Sequence, residues 1–75
     1  MQSYSYVVNK LEELEKERDD ILEFLNVTTK FINDRPNSVL LAPVLVKQSE
    51  LENKLSHVKD KILDIHLHLM DWEKP

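Results

Sequence analysis

The residues best suited to chemistry crowd one short stretch: His57, Asp60, Asp64, His66 and His68. On a helix, His57, Asp60, Asp64 and His68 step 3 and 4 residues at a time along one face, so their side chains could converge on a cation. An i,i+4 pair such as Asp64 and His68 supplies two ligands, and a closed zinc site needs four. The first half of the chain adds only carboxylates. Solvent-facing histidines are therefore expected, with no metal. A place for His66 or His68 in a pH-sensitive subunit interface is the alternative. Ser49 and Ser56 lie near His57, but no loop is available to supply an oxyanion hole beside them. The chain has no glycine and no cysteine. Phosphate-cradling loops, nucleophile elbows, disulfides and thiolate metal sites are thereby excluded. The sequence reads as having no catalytic residues and no cofactor, and as a protein that is not an enzyme.

A second concentration of charge is acidic: Glu12, Glu13, Glu15, Glu17, Asp19, Asp20 and Glu23. With a net charge of −4 the chain is repelled by a phosphate backbone, so direct nucleic-acid binding is not expected. A solvated helix face with i,i+4 pairs such as Glu12–Lys16 is the simpler account. Mimicry of nucleic acid toward a basic partner is the sharper one. The longest apolar run, residues 39–46, contains Pro43 and is too short to cross a bilayer. No membrane partner is expected, and no basic-then-apolar leader is visible. Together with the missing cysteines this suggests a reducing, cytoplasmic setting.

Positioning these residues falls to two long helices. Apolar residues recur at steps of 3 and 4 through Tyr4, Val7, Leu11, Leu14, Ile21, Leu25 and Ile32. They recur again through Leu41, Val44, Leu51, Leu55, Val58, Ile62, Ile65, Leu69 and Trp72. This is the heptad rhythm of helices that wrap on one another. Between the runs stands a breaker, Asp34-Arg35-Pro36-Asn37-Ser38. The fold class expected is all-α: a single-domain antiparallel hairpin, coiled-coil-like, with helix one over about 4–33, a turn at 34–41 and helix two over about 42–72. Ser3 or Ser5 can cap the first helix, and Pro43 fits the first turn of the second. Gln48-Ser49-Glu50-Leu51-Glu52 resembles the Ser-Gln-Glu-Leu-Asp motif of small helical-hairpin phosphatases of the sporulation-regulator type. The order of its first two residues is reversed here and the first helix is longer, and no residue role is carried over.

A turn centred near Ser38 pairs Leu25 with Leu51, Ile21 with Leu55, Leu14 with Ile62, Leu11 with Ile65, and Tyr4 with Trp72. It also places the polar seam residues Thr28 and Gln48 opposite each other, where each could satisfy the other. Arg18 falls against Val58, its stem covering the seam and its head reaching an acidic neighbour or water. Arg18, Thr28 and Gln48 are therefore the expected register-setting polar layer. On the flanks, Glu15 is expected near Lys59 and Glu17 near Lys61.

Large apolar residues are left over. An interaction surface is expected from Phe24, Val27, Phe31, Leu40, Leu45 and Val46 near the turn and from Leu63, Leu67 and Met70 near the open end. The block 39–46 is expected to fold as an elbow into the turn-end cluster. The simplest closed assembly is a homodimer forming a four-helix bundle, with an unidentified larger protein as the other partner. The function expected is a small protein-interaction module: an adaptor, regulatory subunit or inhibitor acting through helical-bundle packing. The alternatives are an oligomeric binder of a small anionic or nucleotide ligand, at a junction built from Tyr4, Tyr6, Arg18 or Trp72, and the acidic nucleic-acid mimic.

Overall fold

A computed structural model describes residues 3–73 and shows two α-helices, α1 (Tyr4–Asp34) and α2 (Leu41–Glu73), packed side by side as a hairpin. Among the described residues there is no strand. Ser3 caps α1, its Oγ accepting from the Tyr6 backbone N–H at 3.2 Å, which satisfies one of the donors a helix start leaves unpaired.

The turn between the helices follows from proline chemistry. Pro36 bars Arg35 from helical geometry, and Arg35 leaves it at φ −135°, ψ 61° while its N–H still donates to the Phe31 carbonyl at 2.9 Å. Pro36 then occupies the second position of a turn closed by Ser38 N–H donating to Arg35 O at 3.2 Å. A second turn follows at once, with Leu41 N–H on Ser38 O at 3.1 Å and Leu40 N–H on Ser38 Oγ at 3.1 Å. Pro43 is the third residue of α2, where its missing N–H has no intrahelical acceptor to serve. The reversal needs no left-handed residue, and among the described residues none has positive φ.

The core is one seam. Val7, Leu14, Ile21 and Thr28, spaced by seven, are the buried residues of α1. Leu14, Ile21, Leu51, Val58 and Ile62 form the buried cluster, with Leu11, Leu25, Leu55 and Ile65 packed against it. Both members of the expected Leu14–Ile62, Ile21–Leu55, Leu25–Leu51 and Leu11–Ile65 layers thus lie in one cluster. The expected Tyr4–Trp72 layer rests on the Trp72 side chain, which lies outside what the structure describes.

Three expected details are corrected. Gln48 Nε2 donates to Thr29 Oγ1 at 3.2 Å, while Thr28 Oγ1 turns back to its own helix and donates to Leu25 O at 2.9 Å. A buried threonine reaches the carbonyl one turn back more easily than a neighbouring helix. Among the described residues Glu17 pairs across the helices with Lys54 at 3.8 Å and not with Lys61, and within α1 Lys10 pairs with Glu13 at 3.8 Å, while Glu15–Lys59 and Glu12–Lys16 form no ion pair. The elbow does not fold inward. Val39 is 93% exposed and Leu40, Leu45 and Val46 are about half exposed, while only Leu41 and Val44 turn toward the seam. Two helices offer one mutual face, and no third element covers the rest.

The molecule is accordingly a rod, 58 × 17 × 15 Å, with a radius of gyration of 16.9 Å, against about 11 Å for a compact chain of this length. No side chain reaches complete burial among the described residues.

Candidate interaction surface

The ion pair Glu17–Lys54 marks one flank of the hairpin, beside the seam. Residues seven and fourteen positions beyond Glu17 lie on that same flank of α1, and they are Phe24 and Phe31. Counting back from Lys54 along the antiparallel helix gives Lys47, and one heptad further back is Leu40, the turn residue just before α2. The flank therefore changes character along its length. By residue type it is ionic at the waist and becomes apolar toward the turn, where the heptad register of the Glu17–Lys54 pair puts Phe24 level with Lys47 and Phe31 level with the start of α2. Val27 sits between the two phenylalanines, one helical step outward. Phe24 is 50% exposed, Val27 62% and Leu40 55%. Phe31 is half-buried, with the Arg35 guanidinium carbon 5.4 Å from its ring centroid, a cation–π distance that places a charge at the patch's edge. Three of the nine expected surface residues, Phe24, Val27 and Phe31, thus lie along one side of α1, with Leu40 in the turn at its end.

The other five are not part of it. Leu45, Val46, Leu63, Leu67 and Met70 are all exposed, and all lie on other sides of α2. The open end is about 40 Å from the turn along the helix axis, taking 1.5 Å per residue between Leu40 and Leu67. The sequence pattern correctly places apolar surplus at both ends but does not distinguish the directions in which it points. The Glu17–Lys54 contact supplies that direction. Heptad flank pairing could have found Lys54, since it shares a heptad position with Lys61.

Arg18 lies half-buried in the seam, with Nε and Nη2 both donating to Asp19 Oδ1 at 3.1 and 3.0 Å. Its head meets an acidic neighbour and its stem lies over the seam. Thr28 is buried at 6% exposure and Gln48 is half-buried. The three share the seam, but the hydrogen bonds they make are separate.

His57, His66 and His68 lie on the exposed side of α2, as do Ser49, Ser56, Asp60 and Asp64. Among the described residues no three His, Cys, Asp or Glu side chains come close enough together to hold a metal ion. Tyr6, Asn9, Lys10 and Glu13 line an open depression of about 310 Å3 along α1. These residues recur at i, i+3, i+4 and i+7, so the depression is a groove on a helix surface. Arg18 is about 18 Å further along the same helix, and in one chain it does not join Tyr6 in a ligand site. Among the described residues no helix is long and apolar enough to cross a membrane.

The chain matches no protein-family model, no curated protein and no solved structure.

Proposed function

We propose that this protein is a non-enzymatic interaction module of the cytoplasm, an adaptor, regulatory subunit or inhibitor that works by packing apolar helix surface against another helical protein. One observation carries the reading: the rod exposes far more surface than its mass requires. Its accessible area is 6030 Å2, whereas a compact protein of 8.9 kDa exposes about 4,800 Å2. The surplus of about 1,200 Å2 exceeds the roughly 800 Å2 that each partner contributes to a standard protein interface. Twelve of the described large apolar residues are exposed, among them Phe24, Val27 and Leu40 near the turn, and exposed apolar patches mark interaction sites. The patch has the make-up of an interface core, with aromatic anchors and cations at its rim. Its partner would lay an amphipathic helix along it, as helix-in-groove recognition does.

The test is site-specific photo-crosslinking in living cells. A benzophenone amino acid at Val27 should give a discrete adduct, and the same group at Glu12, on the charged back of α1, should not. Binding of the purified adduct partner should then fall at least about tenfold, or 1.4 kcal/mol, with Val27→Glu. Equal adducts from both positions, or affinity indifferent to Val27→Glu, would overturn the reading.

A further inference from the structure

We infer that α2 also binds a second copy of itself, antiparallel, through the face turned away from α1. This deepens the interaction reading and rests on it, but it uses a different surface from the turn-end patch. At 100° per residue, the row that steps through Val46, Ser49, Asn53 and Ser56 lies about 150° around α2 from the seam. It repeats in steps of 3 and 4 like the seam itself, continuing to Asp60, Leu63, Leu67 and Met70. Every residue in it is exposed, with Val46 60%, Leu63 57%, Leu67 52% and Met70 60% exposed. Asp60 is its one charged member. The matching back row of α1 holds Glu12, Lys16, Asp19, Glu23, Asn26 and Lys30. In a chain this rich in charge, one outward row carries apolar residues at both ends and a single charge, and the other is polar or charged throughout.

The order of residues along the row identifies the occupant. The row is apolar at both ends and small and polar in the middle, so it is close to its own mirror under reversal. With a two-fold axis between Lys54 and Leu55, antiparallel copies place Val46 against Leu63 and Ala42 against Leu67. In the centre, Ser49 meets Asp60 and Asn53 meets Ser56. Every layer joins like with like, and in each of the two symmetry-related Ser49–Asp60 layers the serine hydroxyl can donate to the facing carboxylate. Sliding the copies by a heptad sets Asn53 against Leu63 and Ser49 against Leu67. A parallel arrangement instead sets Asp60 against Asp60, two like charges in one layer. Antiparallel pairing is also isologous, the form in which most homodimers close.

Native cysteines are absent, which allows a direct test by disulfide trapping. Ser49→Cys and Asp60→Cys chains, mixed and oxidised, should form the mixed disulfide in large excess over either homodisulfide. Wild-type protein should sediment at twice 8.9 kDa, and Leu63→Glu should shift it toward the monomer. If Leu63→Glu unfolds, the trapping experiment still decides, because both of its substitutions lie at exposed positions. Homodisulfides in excess, or wild-type protein that stays monomeric up to about 100 µM, a weak-affinity range, would overturn the inference. The two proposals fail separately. A monomer that still gives the Val27 adduct removes the dimer alone, and a trapped dimer without that adduct removes the turn-end partner alone.

Discussion

Replacing Thr28 with valine tests how the polar seam is wired. Thr28 is 6% exposed, and its hydroxyl donates to Leu25 O at 2.9 Å. That carbonyl is also the acceptor of a main-chain helix bond one turn on, so removing the hydroxyl leaves no acceptor orphaned. Gln48, its seam neighbour, keeps its own bond to Thr29. Valine preserves shape and β-branching, and helix propensity is nearly unchanged. The substitution should therefore be neutral or stabilise by up to about 1 kcal/mol, since a back-bonding hydroxyl contributes little to a helix. Had Thr28 and Gln48 satisfied each other, the same change would strand the buried amide at a cost of about 1–3 kcal/mol. Thr28→Ser provides the contrast. It keeps the hydroxyl and removes a buried methyl, and should cost about 1 kcal/mol. Urea unfolding followed by circular dichroism at 222 nm, at one fixed protein concentration, separates these outcomes. In a chain of this size 1 kcal/mol moves Tm by about 4–8 °C. A loss above 1 kcal/mol for valine, or valine less stable than serine, refutes the local-bond account.

Other perturbations follow from the same seam. Ile21→Ala opens the buried cluster and should cost about 2–5 kcal/mol, seen as a large fall in the urea midpoint; a loss under 1 kcal/mol would mean the cluster is not the core. Arg18→Leu should stabilise by about 1 kcal/mol, because it adds apolar seam area and gives up an ion pair to Asp19, whose side chain is 64% exposed. Destabilisation measured in the same assay would show that the guanidinium has a structural role. Ser3→Ala removes the α1 cap and should cost about 0.5–2 kcal/mol, with amide exchange accelerated at Tyr6 more than at Ile21. Lys54→Gln should change stability by no more than a few tenths of a kcal/mol, its pair with Glu17 being exposed on both sides.

Much of this architecture was legible before any coordinate. Steps of 3 and 4 give helices because only a 3.6-residue period collects those residues on one side. Pro36 gives the reversal because it forbids helix at Arg35. The seam residues, the capping role of Ser3 and the surplus of apolar side chains near both ends follow from residue type and spacing alone. Three-dimensional packing decided the rest. Gln48 chooses Thr29 over Thr28 because hydrogen bonds depend on ångström-scale reach, which a helical register resolves only to the nearest turn. Glu17 meets Lys54, one heptad from the expected Lys61, because residues on the flank pair at a different offset from those in the seam. The block 39–46 looked inward by composition and lies mostly outward, since burial depends on what stands opposite and a two-helix hairpin has one inside. Helix geometry sets the leftover apolar residues of α2 on its back, while the contact Glu17–Lys54 shows which side of α1 faces the flank shared with α2.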